Sequence, residues 1–219
     1  LKVRFRTTGI DGFTLIELDV RRDLRGAFCR TFCEAEFAEA GIPFRVAQAN
    51  LSFNKRRHTL RGLHFQTAPH GEPKIVSCLK GRMFDVAVDL RPTSPTYRRW
   101  QAVELSAGDG RMIHIAEGLA HGFLTLEADT EVHYLMGAPY VPEAARGVRW
   151  DDPAFAIDWP FEPVVIGQRD HPQLPARRRV VHRDAEQVRR EPVRQLDRAL
   201  GERRLGVALQ PVRPPGAGR

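Results

Sequence analysis

Nowhere in these 219 residues does an apolar run approach the roughly 18 residues that a membrane-spanning helix needs. Leu1 to Ile16 lack the charged-then-apolar pattern of a secretory leader. Cysteine is scarce and odd in number, with only Cys29, Cys33 and Cys78. No second pair stands at zinc-finger spacing from Cys29 and Cys33, so a structural zinc is not expected. Together these absences read as a reduced, cytoplasmic protein with no membrane partner. Helical periodicity is also rare: only TFCEAEFAEAGI, 31 to 42, combines helical spacing with a glycine stop.

Net charge is missing from most of the chain. From Ala176 to Arg219 there are 12 Lys and Arg against 5 Asp and Glu, which accounts for the whole formal charge of +7. The sequence pI of about 9.9 therefore describes a tail, and no nucleic-acid surface is expected on the body. That tail ends in the Pro/Gly-rich, aromatic-free string QPVRPPGAGR and is expected to carry little fixed structure. The expected division is a folded domain over 1–175 and a basic tail over 176–219.

What the body does contain is a series of short apolar runs separated by Gly, Pro, Asp and Ser. FTLIELDV, HTLRGLHFQ, KIVSCLK, RMFDVAVDLR, RWQAVEL, RMIHIA, AHGFLTLE and EVHYLMG each fit a strand, which points to an all-β antiparallel barrel or sandwich with few short helices. Alternation sets Phe84, Val86, Val88 and Leu90 on one face and Asp85, Ala87 and Asp89 on the other. Val132, Tyr134 and Met136 likewise share a face. A barrel interior holding Asp85, Tyr134 and the strand histidines would be polar, and a polar lumen implies a ligand, whereas the plainer alternative turns these faces to water. From Pro139 five prolines and two tryptophans fall within 26 residues, so this stretch is expected to wrap the barrel wall with aromatic anchors.

His64 in RGLHFQ, His121 in EGLAHGF, His114 and His133 are the candidates for chemistry. Metal-binding barrels of the cupin type typically place two histidines two residues apart in one strand, and this chain has no His-x-His, so no metal site is expected. Proton chemistry remains: a neutral imidazole is a competent base near pH 7 if a carboxylate fixes its tautomer and an acid delivers a proton elsewhere. Asp170 and Tyr134 suit those parts by residue type.

QANLS, TLRGLHFQ, EPKIV, GRMFDVAVDLRPTSPTY, EGLAHGFLTL, TEVHYLMGAPYVPE, WDDPAFAIDWP and RDHPQLP, in this order from about Gly12 to Pro175, resemble the dTDP-4-dehydrorhamnose 3,5-epimerases, the cupin-fold (RmlC-like) nucleotide-sugar epimerases. The resemblance implies a cupin-type antiparallel β-barrel, or jelly roll, needing no cofactor or metal. It implies inversion of C3 and C5, or C3 alone, on a nucleotide-linked 4-keto-6-deoxy sugar. By motif, His64 matches the base, Asp170 the carboxylate that orients it, Tyr134 the proton donor and Lys74 the cation near the developing oxyanion. Arg61 and His121 match residues lining the sugar and phosphate region. Gln48 and Asn50 match the QxN pair, Arg25 a diphosphate contact and Tyr140 the aromatic on which the base stacks. Phe28 and Arg169 complete the implied substrate-binding set.

The resemblance also implies a homodimer paired through edge strands, with N-terminal residues contributed across the interface. A long strand such as FTLIELDV would be a liability if left unpaired. Two positions depart from the family pattern. Arg30 stands where RGxFxE has its glutamate, and Ala145 where a second glutamate follows the stacking aromatic. Both changes are expected in the nucleotide pocket.

Overall fold

The computed structural model describes residues 1–170. The proposed domain limit at 175 and the basic tail lie outside them. In chain order come β1 (Val3–Thr7), β2 (Phe13–Leu18), β3 (Arg21–Asp23), β4 (Gly26–Phe28), α1 (Glu34–Glu39), β5 (Gln48–Asn54), β6 (Thr59–Gln66) and β7 (Lys74–Lys80). β8 (Arg82–Asp89), β9 (Trp100–Ser106), β10 (Arg111–Ile115), β11 (Leu119–Thr125), β12 (Thr130–Met136), β13 (Ala145–Gly147) and β14 (Val165–Ile166) follow, and a 3-10 turn closes at Gln168–Asp170. All eight strands expected from the sequence form. They stack as two sheets, β1-β2-β10-β7-β12-β5 and β13-β6-β11-β8-β9, with β14 added parallel to β6 and the β3–β4 hairpin standing apart. This is the cupin-type barrel.

Alternation sorts the core into layers. Phe13, Leu15, Val76, Met83, Ala87, Ile113, Phe123 and Val132 fill the space between the sheets. Asp85 shares the parity of Met83 and Ala87, so it faces inward, and it is fully buried. The opposite parity of β8, Phe84, Val86 and Val88, packs outward under Val148, Trp150, Phe155, Ile157 and Trp159. The proline-rich stretch therefore wraps the barrel wall as expected, pinned by the Trp159 indole N–H donating to the Trp150 carbonyl at 2.9 Å.

The helix is shorter than the 31–42 pattern suggested. Its N-cap, Cys33, supplies no side-chain hydrogen bond, and Gly41 at φ +74° ends it. Six residues cannot hold a helix in water alone. Burial of Phe37 against Phe5, Phe32 and Phe44, about 1.5–3 kcal/mol for a side chain of this size, holds it on the outer face of the first sheet.

Parity also places two of the histidines outside the lumen. His114 alternates with Ile113 and Ile115, so it points away from the inner core and meets the Phe44 ring edge-on. His133 precedes the inward Tyr134 and takes the opposite face. FTLIELDV is not left unpaired: β2 is hydrogen-bonded on both sides, by β1 and β10. The first sheet ends instead on β1 and β5.

β6 carries an irregularity that governs the site. Between His121 and Phe123, two residues apart on β11, the partners on β6 are His64 and Arg61, three apart. This is a β-bulge, and Gly62 absorbs it at φ +116°. A Cβ there would lie 2.5 Å from the Gly122 Cα, so only glycine lets the strands approach.

Candidate active site

A cavity of about 540 Å³ opens between the two sheets. Residues three apart in a regular strand face opposite ways, and the bulge at Gly62 is what lets Arg61 and His64 both line it. Tyr134 enters from β12 on the facing sheet, Lys74 from the start of β7, and Gln48 and Asn50 from β5. Asp170 arrives from 106 residues away. The parallel pairing of β14 with β6, Val165 with Thr59 and Ile166 with Leu60, sets the following turn against the bulge. There the Gly62 N–H donates to Asp170 Oδ2 at 3.4 Å, and the other oxygen, Oδ1, lies 2.5 Å from His64 Nε2.

With Nε2–H on the carboxylate, Nδ1 of His64 keeps its lone pair. Burial is the dominant influence on this ring and lowers its pKa, the Asp170 hydrogen bond and charge pull the other way, and Arg169 and Lys74 add to the lowering. The net result is a neutral imidazole at pH 7. Tyr134 is shifted upward, first by burial and then by the Asp85 charge, with Arg61 opposing. Its phenol is therefore protonated throughout the working range.

Lys74 is buried and ion-paired to Glu72 at 2.8 Å. Arg61 Nε donates to Asn54 Oδ1 at 2.7 Å, which fixes its direction along the lumen. At the mouth, Gln66 accepts from the Val141 N–H at 2.6 Å and donates to the Pro139 carbonyl, while Gln48 accepts from the Tyr140 N–H at 3.2 Å. These bonds hold the 139–141 turn so that Tyr140 stands half exposed beside the opening.

His64, Tyr134, Asp170, Lys74, Gln48, Asn50, Arg61, His121, Tyr140 and Arg169 thus line one cavity, and Ala145 does too. Arg25 and Phe28 do not. They sit on the β3–β4 hairpin, where Arg25 pairs with Asp23 and Phe28 is 68% exposed. Arg30 is also outside this chain's own cavity, tied to Glu36 at 2.7 Å beside α1. The sequence missed Glu72 and Arg146, both lining residues, and left Asp85 open between lumen and water. A lysine at the head of a buried strand needs a counter-ion, and that was the available signal for Glu72.

A cupin-type barrel whose lumen joins a carboxylate-held histidine to a tyrosine on the facing sheet holds the kinds of group that proton transfer at a carbon acid calls for. The sequence model of dTDP-4-dehydrorhamnose 3,5-epimerase matches residues 7–177. A dTDP-4-dehydrorhamnose 3,5-epimerase of Methanothermobacter thermautotrophicus is 45% identical over 183 residues, covering 82% of this chain and 97% of the relative. A dTDP-4-dehydrorhamnose 3-epimerase of Streptomyces niveus is 40% identical, covering 78% and 83%. Among solved structures, a 4-keto-6-deoxy sugar epimerase from the novobiocin cluster of Streptomyces spheroides superposes with TM-score 0.74 at 40% identity, over 78% of this chain and 85% of that one. The chain belongs to the dTDP-4-dehydrorhamnose 3,5-epimerase family.

Proposed function

We propose that this chain is a cofactor-independent epimerase of a dTDP-linked 4-keto-6-deoxy sugar, acting at C3 alone or at C3 and C5 in deoxysugar biosynthesis. The observation that carries the reading is the His64–Asp170 pair facing, across one lumen, a tyrosine from the other sheet. The C4 carbonyl acidifies the neighbouring C–H bonds. His64 Nδ1 takes a proton from carbon, the bonding pair moves into an enolate on the C4 oxygen, and the Lys74 ammonium offsets the developing charge. Tyr134 then returns a proton to carbon on the opposite face, and solvent resets both groups. Base and acid come from facing sheets, an arrangement that lets them approach opposite faces of one carbon.

Incubation with dTDP-4-keto-6-deoxyglucose in deuterated water tests this. His64→Asn is expected to lose exchange by at least about a hundredfold, the usual scale for removing a general base. Tyr134→Phe is expected to retain more exchange than net epimerisation. Deuterium at C3 alone or at both carbons identifies which centres invert. Near-normal exchange in His64→Asn would remove the base from the account, and equal losses of exchange and epimerisation in Tyr134→Phe would remove the separate donor.

The working unit of this reading is a homodimer. β5 is an open edge whose outer face exposes Leu51 at 44% and Phe53 at 64%, beside Leu79 at 54%. The β3–β4 hairpin projects Leu24, Arg25 and Phe28 into solvent, and a second copy's cavity gives Arg25 and Phe28 the substrate contacts their motif implies. Sedimentation is expected to give twice the 24.8 kDa chain mass, and Phe53→Arg to yield a monomer with little activity. A fully active monomer contradicts it. Three free cysteines suit a reducing, cytoplasmic setting. Among the described residues no helix is long and apolar enough to cross a membrane.

Stacking on Tyr140 tolerates any base, and selection among bases rests on edge hydrogen bonds worth about 1–3 kcal/mol each when lost. Ala145 offers none. Preference for dTDP over UDP or CDP is therefore expected to be weaker than in members with a glutamate here, and Ala145→Glu to strengthen it. Dissociation constants for the three nucleotides measure this. A roughly hundredfold preference already present, equivalent to nearly 3 kcal/mol, and unchanged by Ala145→Glu would show that this position does not select the base.

A further inference from the structure

The lumen holds a second histidine–carboxylate pair that the chemistry above leaves unused. His121 Nε2 lies 2.9 Å from Asp85 Oδ2, and both side chains are buried, Asp85 completely. The other carboxylate oxygen, Oδ1, has no hydrogen-bond partner among the described residues. A buried carboxylate with an unpartnered oxygen costs folding free energy, and such costs gather where a protein needs a particular electrostatic arrangement. The pair is built differently from the base site: Asp85 and His121 come from β8 and β11, neighbouring strands of one sheet, whereas Asp170 reaches His64 from the turn after β14.

The rest of the cavity shows what His121 can add. Arg61, Lys74, Arg146 and Arg169 are all donors. The carboxylates facing them are already engaged, Asp170 with His64 and Glu72 with Lys74. This lumen is rich in charged donors matched to phosphate and carbonyl oxygens, and the Gln48 and Gln66 amide oxygens are taken up by the mouth turn, so few side-chain acceptors remain for O–H groups. His121 lines it, is in register with His64 on β6, and stands edge-on to the Tyr134 ring at 6.3 Å.

We propose that Asp85 is a positioning residue: its carboxylate takes the Nε2–H of His121 and so leaves the ring's Nδ1 as a lone-pair acceptor for a sugar hydroxyl. The proposal rests on the sugar-nucleotide reading of the cavity. It makes Asp85 and His121 readers of the sugar and assigns them no contact with the nucleotide. The Asp85 charge has a second consequence, since it also disfavours ionisation of Tyr134 and so helps keep the phenol protonated.

Two measurements test it. In wild-type protein labelled with 15N-histidine, His121 is expected to be neutral with Nδ1 unprotonated; an Nδ1–H tautomer or an imidazolium at pH 7 overturns the proposal, whatever any variant does. Calorimetry then compares dTDP with dTDP-glucose, a stable sugar nucleotide, in wild type, Asp85→Asn and the near-isosteric Asp85→Leu. Affinity for dTDP is expected to stay within about twofold, while dTDP-glucose weakens about five- to tenfold in Asp85→Leu, the size of one lost neutral hydrogen bond, and less in Asp85→Asn, whose amide oxygen can still accept. Equal weakening of both ligands, or of neither, overturns the proposal. A wild-type protein that binds neither ligand refutes the functional reading instead, and the 15N spectrum still decides the tautomer.

Discussion

Everything distinctive about this barrel converges on the contact between His64 and Asp170, two side chains 106 positions apart at 2.5 Å. The contact needs the bulge at Gly62 to turn His64 inward without turning Arg61 out. It needs β14 to lie along β6 so that the terminal turn reaches the bulge, and it needs the aromatic wrap over 148–159 to bring the chain back to that edge. Competing electrostatic effects then meet on one ring. A carboxylate alone would charge the imidazole, but burial outweighs it, with Lys74 and Arg169 adding to burial. The outcome is an oriented neutral imidazole rather than a salt bridge.

The sheets divide the remaining work. The β6–β11–β8 side supplies the two histidine–carboxylate arrangements, one reaching across to the terminal turn and one contained within the sheet. The β7–β12–β5 side supplies Lys74, Tyr134, Gln48 and Asn50. Buried groups on both sides are held by partners before any ligand enters: Lys74 by Glu72, Arg61 by Asn54, and the mouth turn by Gln66 and Gln48. A cavity built this way spends little on reorganisation when charge develops on a bound carbonyl oxygen.

Strand runs and their parity were legible because period-two burial is local. They correctly paired Val132 with Tyr134 and opposed Phe84 to Asp85. The same parity, applied to Ile113–His114–Ile115 and to His133–Tyr134, would have removed two histidines from the lumen. Other features were not local. That β2 is interior depends on β1 and β10, the bulge shows only in the mismatch between β6 and β11, and Asp170 is brought in by a two-residue parallel strand too short to leave a pattern. Motif position assigns Arg30 to a nucleotide pocket, whereas within the single chain it lies outside the cavity, paired with Glu36 beside α1. Motif identifies what a residue can do, and long-range pairing decides whether it arrives.

The central claim is that burial, not the carboxylate, sets the protonation of His64. Its titration by NMR in wild type and in Asp170→Asn tests this most directly. The ring should be neutral at pH 7, with Nε2 protonated and a pKa below the ordinary value of about 6.5. Because Asp170 favours the charged form, its replacement should lower that pKa further. An imidazolium at pH 7 in the wild type, or a pKa that rises in Asp170→Asn, would contradict the account.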